Sequence, residues 1–485
     1  MKRTGWRFFV AARSLAGRVV LPFVLASCLA LPARAATRPH YGGTLRVEMR
    51  ARVNSLDPRE WPADATAAAA AERLALLVFE RLVRRDEGGQ LQPALAIAWQ
   101  HDAESKRWQF RLRAEVKFHD GTPLTAHRAA AALQPLLGNA LRVSVSGEWL
   151  VIQSDRAVPD LPAELARGPY FIFHASQDGL AGTGAFRIAE WRPRSRLVLA
   201  ANEGCWAGRP FVDSIAVEMG VSAAQQLMDL ELGKADVVEL LPEQVRRAAQ
   251  SRARTWSSAP VELFALVFDA RRPAAQDAGL RQAIALSIDR ASIFNVLLQK
   301  QGEAAGGLLP QWLSGYAFLF STAADSERAK QLRGKVSRAH PLSLVYDSDD
   351  ALGRAVAERV AVNAREAGIA VQASGAGSPG TAEGDVRLVR LRLEAPEPRT
   401  ALAALLAVLG QAEALPADAA APEQLYAAER AVVESYRVVP VAHVMETYGL
   451  SSRVKNWMPR RWGGWRLEEA WVDTASPAAA GGEKP

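Results

Sequence analysis

The chain has 485 residues, of which 49% are hydrophobic and 23% are charged. This composition is typical of a globular protein, and the length exceeds what one simple core holds, so we expect two or three domains. The formal net charge of +7 raises the question of a nucleic-acid partner. The arginines are scattered, and the only basic run is at the N-terminus, which argues against nucleic-acid binding.

The N-terminus is predicted to be a signal peptide that spans residues 1–35. A basic segment precedes a short apolar run at residues 19–31, and an A-x-A cleavage motif follows at residues 33–35. The apolar run is far shorter than the ~20 residues that a membrane-spanning helix needs. We therefore predict that the protein is exported and cleaved after Ala35.

A second interpretation of the N-terminus stays open. Residues 25–28 read Leu-Ala-Ser-Cys and resemble a bacterial lipobox, so a lipid on Cys28 would tether the protein to a membrane. The apolar residues 29–31 argue against this, because a lipoprotein tether usually becomes polar at once. If cleavage follows Ala35, Cys205 is the only cysteine left, and stability must come from core burial without a disulfide.

Secondary structure follows from periodicity and turn residues. In the strand at residues 108–113, Trp108, Phe110 and Leu112 alternate with polar side chains. The other predicted elements of the first half are a strand at residues 42–49, turns at 54–58 and 120–123, a helix at 67–85, and hairpins at 141–152 and 186–199.

The second half contains a predicted βαβ unit at residues 342–371. Its helix carries one apolar stripe and ends at a C-capping glycine, Gly368. The other predicted elements are a helix at 280–298, a loop at 412–422, a helix at 422–436 and a disordered tail at 475–485.

Motifs of common enzyme classes are absent from the sequence. It contains no Walker loop, no dinucleotide fingerprint, no H-E-x-x-H motif and no G-x-S-x-G elbow. The seven histidines are dispersed without the spacing of metal ligands. We therefore predict no catalytic residue, no metal and no cofactor.

Eight motifs occur in a fixed order along the mature chain. They are residues 42–45 with 55–58, the long segment 77–124, the G-T-G-A-F of 182–186, the spaced pattern from Asn202 to Ile215, and residues 230–236, 280–290, 439–440 and 454–457. Together they resemble the family 5 extracellular solute-binding proteins, the receptors of peptide- and nickel-type ABC importers. Departures from the family pattern are Ala185 for proline, Cys205 for tyrosine and Lys234 for glutamate.

The resemblance implies an α/β chain with the type II periplasmic-binding-protein fold. Two lobes of mixed sheet flanked by helices are linked by two crossings and carry an extra subdomain. The implied boundaries are 42–55, 182–262 and 445–474 for lobe I, 56–181 for the inserted subdomain, and 263–444 for lobe II.

The implied function is capture of a peptide or similar solute in the periplasm and delivery to the ABC permease, with the protein a monomer. Two rival classes remain: a receptor scaffold that acts as a chaperone or signalling partner, and a hydrolase. The missing nucleophile and base argue against the hydrolase.

The resemblance also implies a ligand site in residues 385–398. Glu394 stands where oligopeptide-binding members hold the ligand α-ammonium group with an aspartate, and the tryptophan common before that aspartate is absent. Arg390, Arg392 and Glu394 share one strand face, so all three are candidate ligand-binding residues. The two arginines favour a solute that is anionic at one end. The alternative is a strand face with cross-strand ion pairs, in which the arginines neutralise Glu394.

Overall fold

The computed structural model describes residues 39–62, 65–86, 88–177, 179–251, 253–333, 341–377, 384–393, 395–416, 419–457 and 460–473. The predicted signal peptide with Cys28, the candidate ligand residue Glu394 and the predicted C-terminal tail lie outside the described residues. In the described part of the chain, no helix combines the length and the apolar character that crossing a membrane requires.

The strands are numbered along the chain. They are β1 (Thr44–Met49), β2 (Val83–Arg85), β3 (Leu91–Pro93), β4 (Ala96–His101), β5 (Arg107–Leu112), β6 (Leu141–Ser146), β7 (Trp149–Ser154), β8 (His174–Ser176), β9 (Gly179–Ala181), β10 (Phe186–Arg192), β11 (Arg196–Ala201), β12 (Ser214–Met219), β13 (Val237–Glu239), β14 (Arg254–Phe268), β15 (Gly302–Ala304), β16 (Leu342–Asp347), β17 (Val371–Ala376), β18 (Val386–Arg392), β19 (Val438–Leu450), β20 (Val454–Lys455) and β21 (Trp471–Val472).

The helices are numbered in the same way. They are α1 (Ala65–Val78), α2 (Ala126–Leu137), α3 (Leu161–Leu165), α4 (Ala223–Glu231), α5 (Pro242–Gln250), α6 (Pro273–Gln276), α7 (Ala278–Ser287), α8 (Arg290–Ser292), α9 (Gln311–Ser314), α10 (Ser326–Arg333), α11 (Ala351–Glu366), α12 (Pro398–Val408) and α13 (Pro422–Glu434), with single 3₁₀ turns at Pro58–Glu60, Ala317–Leu319 and Ala412–Ala414 and a π turn at Ile293–Leu297.

One large mixed sheet runs through the molecule in the order β10-β11-β12-β1-β13-β19-β14-β18-β16-β17, and β15 pairs with β19. The long antiparallel strands β14 and β19 join its two ends. Their register shifts between Ser257, Pro260 and Glu262. A bulge of this kind bends a strand locally. The sheet therefore consists of two halves that meet at a bend in the two strands they share.

Helices cover both faces of the second half of the sheet. In β14, Phe264, Leu266 and Phe268 enter one core, which contains α7 and α11. Leu263 and Val267 enter another, which contains α12 and α13. This alternation is the period-two pattern of a strand that is buried on both sides.

A separate antiparallel sheet, in the order β4-β5-β7-β6, builds its own core with α2 and α3. Trp108 and Phe110 of β5 are buried in this core, as the alternation in the sequence predicts. The predicted hairpins are also confirmed, because β6 pairs with β7 and β10 pairs with β11. The βαβ unit is confirmed by the parallel pairing of β16 with β17 around α11.

Two predicted helices are too long. The helix predicted at residues 67–85 ends at Val78, and its last residues form β2 instead. The helix predicted at 280–298 ends at Ser287, because Ile288 is extended and Asp289 caps a new turn by accepting a hydrogen bond from the Ser292 backbone N–H. Apolar periodicity continues across both breaks, so the sequence pattern alone does not reveal them.

The glycines of the G-T-G motif are required by a close backbone approach. A Cβ atom at Gly182 would lie 2.2 Å from the carbonyl oxygen of Val78, and one at Gly184 would lie 2.7 Å from the same oxygen. Neither glycine has a positive φ. The backbone between β9 and β10 thus packs directly on the end of α1. This contact fixes where α1 stops.

Candidate ligand-binding cleft

A cavity of about 360 Å³ lies between α1, β2, residues 164–170, the end of β18 and residues 460–468. Its volume is within the range of small-molecule sites. Five distant segments of the chain supply its walls. The lining includes seven arginines and five aromatic side chains.

The segment Trp462-Gly463-Gly464-Trp465 forms one wall of this cavity. Both glycines have φ near +87°, a conformation that residues with a Cβ atom rarely adopt. The Gly464 N–H donates to Oε2 of Glu446 at 3.0 Å. Trp465 is only 4% exposed, and the guanidinium of Arg73 lies 5.3 Å from the centre of its ring.

A buried ion network closes the base of the cavity. Arg73 of α1 donates to Glu239 of β13 and to Glu446 of β19, each at 2.9 Å. Arg392 of β18 pairs with the same Glu446. Burial works against the charge of Glu239, but Arg50 and Arg73 outweigh it and hold its pKa below the usual range. Burial lowers the pKa of Arg392, and the nearby Arg73 lowers it further.

Arg390 forms a second ion cluster away from the cavity. It donates to Glu262 of β14 at 2.5 Å and to Asp350 at 3.2 Å, and its guanidinium lies 5.3 Å from the centre of the Phe264 ring. Burial opposes the charge of Arg390, but the two carboxylates prevail and raise its pKa. Arg390 is therefore held by protein groups on both of its sides.

Glu80 connects the cavity to the family motifs. Its Oε2 accepts hydrogen bonds from Oγ1 of Thr183 at 2.8 Å and from Nε1 of Trp206 at 2.9 Å. Burial raises the pKa of Glu80, although these two hydrogen bonds oppose the shift. The two motif residues thus orient a carboxylate that lines the cavity.

Three arginines from one short stretch also line the cavity. Arg81 is buried, donates to the Ala166 carbonyl at 3.2 Å and pairs with Glu72. The Arg84 side chain is exposed and forms no hydrogen bond or ion pair among the described residues, although it acts electrostatically on Glu80 and Asp86. Nη1 of Arg85 donates to the Gly89 carbonyl at 2.8 Å. This side of the cavity is therefore rich in cationic donors.

A metal-ion centre has no protein ligand set in the part of the chain that the structure describes. No three His, Cys, Asp or Glu side chains are arranged there so that they could hold a metal ion. The arrangement offers hydrogen bonds, charge and aromatic surface to a small molecule.

The family model of the bacterial extracellular solute-binding proteins, family 5 (middle part), matches residues 90–400, more than half of the chain. The chain belongs to this family. The solute-binding fold is also seen in the murein tripeptide binding protein MppA of Escherichia coli. Its structure matches with a TM-score of 0.76 at 18% sequence identity, over 88% of this chain and 98% of that one.

Two curated relatives extend the comparison of this family 5 protein. The nickel-binding periplasmic protein of Escherichia coli (strain K12) is 23% identical over 345 residues, which are 62% of this chain and 66% of the relative. The probable D,D-dipeptide-binding periplasmic protein DdpA of the same strain is 25% identical over 312 residues, which are 56% and 59%. The matched region thus spans about three fifths to two thirds of these relatives.

The strand face predicted for Arg390 and Arg392 is confirmed in the described part of residues 385–398. Leu391 and Leu393 enter the core on one side of β18, while Arg390 and Arg392 point to the other side. Arg392 lines the cavity, whereas Arg390 forms the cross-strand ion pair of the alternative interpretation. The ligand roles of Arg390, Arg392 and Glu394 stay predictions.

Several residues of the cleft were missed by the sequence reasoning. They are Arg73, Trp462 and Trp465 of the lining, and Glu446, which pairs with Arg73 beneath it. Signals for them exist in the sequence. Arg73 interrupts an alanine-rich helix, Glu446 interrupts a hydrophobic strand, and two tryptophans flank a pair of glycines.

Proposed function

We propose that this chain is the substrate-binding receptor of an ABC importer, which captures a peptide or similar small solute in the periplasm and delivers it to the permease. The observation that carries the proposal is a cavity of small-molecule size in a member of a solute-binding family, lined by residues of α1, β2 and β18 and of segments 164–170 and 460–468. The names of the two curated relatives and of MppA refer to nickel, dipeptide and murein tripeptide binding, which supports a small solute.

The lobe boundaries proposed from the sequence are consistent with this role. Lobe I is 42–55, 182–262 and 445–474, lobe II is 263–444, and 56–181 is the inserted subdomain. The two crossings then fall in β14 and β19, near the register shifts at Pro260. A bend in two shared strands supports a hinge that closes the lobes on a solute.

Glu394 is the proposed partner of a ligand α-ammonium group. Arg392, two residues earlier in the sequence, lines the cavity, which supports a ligand role for this segment of the chain. Removing one partner of a desolvated ion pair costs ~2–5 kcal/mol. Glu394→Gln should therefore weaken peptide binding at least about tenfold. An unchanged dissociation constant with lost thermal stability would instead assign Glu394 to a structural ion pair.

The experiment that tests the receptor function is native mass spectrometry of the mature protein, produced in rich medium and purified without denaturant. The expected result is a bound small solute that is released on unfolding. Isothermal titration calorimetry with a pool of di- to tetrapeptides provides the second readout. Absence of any solute, together with no heat from the pool, would refute the proposal.

Export is the second part of the proposal. N-terminal sequencing of the secreted protein should find Ala36 first. A lipid-modified Cys28 at the N-terminus would establish the tethered form, and an intact Met1 would exclude both forms.

A further inference from the structure

We propose that His443 and Glu303 form a pH-sensitive switch that controls how firmly helix α9 is held on the bend in β14. The inference goes beyond the proposed function, because it concerns a response of the protein itself to pH and its test needs no solute. It rests on the contacts of one buried histidine and on the hydrogen bonds that connect its partner to the bend.

His443 lies in the middle of β19 between two oxygen atoms. Its Nε2 lies 2.9 Å from the carbonyl oxygen of Leu308. Its Nδ1 lies 3.4 Å from Oε1 of Glu303, the residue opposite it in β15. The side chain of His443 is buried, and so is its Nδ1 atom. The protonation of the ring therefore depends on these two oxygens.

The contacts of His443 favour a proton on each ring nitrogen. A carbonyl oxygen is only an acceptor, so Nε2 must carry a proton to bind Leu308. A neutral ring then has a lone pair on Nδ1, and that lone pair faces the Glu303 carboxylate. A proton on Nδ1 replaces this repulsion with a charge-assisted hydrogen bond. Glu303 is thus attracted to the charged ring and repelled by the neutral one.

Two further hydrogen bonds link this pair to the bend in β14. The same Oε1 atom of Glu303 accepts from the backbone N–H of Gln311, the first residue of α9, at 3.0 Å. The next residue, Trp312, donates from Nε1 to the Pro260 carbonyl at 2.7 Å. Pro260 is the point at which the register of β14 and β19 shifts. The position of the Glu303 carboxylate therefore affects how α9 is attached to the bend.

The other charged groups around His443 are engaged by the protein. Glu429 of α13 accepts from two backbone N–H groups and from the hydroxyl of Tyr316. Arg290 of α8 donates to three main-chain carbonyls. Glu303 is thus the carboxylate that is placed to change its pairing when His443 changes charge.

The direction of the pH response follows from the two charges. Burial works against the charge of Glu303, but His443 and the Gln311 N–H outweigh it and hold the pKa of Glu303 below the usual range. Glu303 therefore stays ionised between about pH 5 and 8, where histidine changes its charge. The ion pair is complete at the acid end of this range and is lost as the pH rises. Trp312 is then held less firmly on the bend.

Nuclear magnetic resonance of the mature protein, with ¹⁵N in its indole groups, tests the switch through the Nε1–H of Trp312. Of the 13 tryptophan resonances, the one missing in Trp312→Phe belongs to this residue. In the wild type it should shift along a titration curve with its midpoint between about pH 5 and 8. The curve should be absent in His443→Gln, whose amide still donates to Leu308. It should persist in the matched control His127→Gln, at an exposed histidine.

Glu303→Gln provides a second variant, because the Glu303 side chain is 32% exposed and its change leaves the bond from His443 to Leu308 in place. This variant should also lose the curve, and it decides the matter if His443→Gln does not fold. A Trp312 resonance that stays fixed across this pH range in the wild type would overturn the switch. A curve that persists in His443→Gln or in Glu303→Gln would overturn it as well. Solute binding is not needed for any of these results, so a failure of the receptor function would leave the test valid.

Discussion

Arg73 of α1 and Glu446 of β19 form an ion pair in which Nη2 lies 2.9 Å from Oε1, although 373 residues separate them in the sequence. Arg392 of β18 pairs with the same carboxylate. One buried glutamate thus joins a helix of the proposed inserted subdomain, a crossing strand and a strand of the proposed lobe II. Removing one partner from such a cluster leaves an uncompensated buried charge.

The first prediction uses the glycine pair that packs on this cluster. A Cβ atom at Gly463 would lie 2.5 Å from Nη2 of Arg392 and 2.7 Å from Oε2 of Glu446, whereas one at Gly464 would meet no atom within 4 Å. Both positions have positive φ, so each Gly→Ala change costs ~1–2 kcal/mol of backbone strain. Gly463→Ala should cost a further ~1–3 kcal/mol, because the two ion-paired side chains must move apart.

Urea unfolding of the two variants measures this difference, and Gly464→Ala is the matched control for the strain. Equal losses of stability in both variants would show that Arg392 and Glu446 yield to the added methyl group without cost.

The second prediction concerns Arg390. Arg390→Gln should lower the free energy of unfolding by ~3–5 kcal/mol, because Glu262 and Asp350 would stay buried without a counter-charge. Arg354→Gln is the control, since it breaks an exposed pair with Glu358 and should cost no more than ~0.5 kcal/mol. Denaturation in urea gives both values. A stable Arg390→Gln protein with lost solute affinity would instead support the ligand role predicted from the sequence.

Local features of the fold could be predicted from the sequence because they depend on neighbouring residues. The alternation of Trp108 and Phe110 predicts a half-buried strand, and the apolar stripe that ends at Gly368 predicts the helix of the βαβ unit. The face shared by Arg390 and Arg392 follows from strand periodicity alone.

Other features depend on pairings across hundreds of residues. Nothing local relates Arg73 to Glu446, and nothing local shows that Arg390 meets Asp350 while Arg392 meets the cavity. The end of α1 at Val78 is also set from a distance, by the close approach of Gly182. Such contacts arise only when the whole sheet is assembled, so a single sequence does not reveal them.

The third prediction is a pH dependence of stability that comes from Glu48. Burial raises the pKa of its carboxyl to about 7, and the neighbouring Asp229 and Glu218 contribute to the shift. The folded pKa lies above the unfolded value of about 4.3. The folded state therefore binds the extra proton, and this contribution to stability is complete at low pH and is lost as the pH rises through the folded pKa.

Glu48→Gln removes this titration. The variant should be more stable than the wild type at pH 8, on the order of 1–2 kcal/mol once solvent screening is allowed for, and the gain should vanish near pH 4. Glu148→Gln, at an exposed turn, is the control and should show no such trend. Urea denaturation at several pH values measures the effect, and a difference that does not change with pH would contradict the assignment.

The fourth prediction is closure on binding. The proposed lobes share β14 and β19, and the register between these strands shifts around Pro260, where the backbone can bend without breaking the rest of the sheet. A solute that contacts both lobes binds the closed form more tightly and so shifts the population towards it.

Small-angle X-ray scattering of the mature protein should therefore show a smaller radius of gyration at saturating solute than in matched buffer. The midpoint of the change should agree with the dissociation constant from calorimetry, because both report the same binding step. A radius of gyration that stays constant at saturation would mean that the bend in β14 and β19 is a fixed feature of a rigid scaffold.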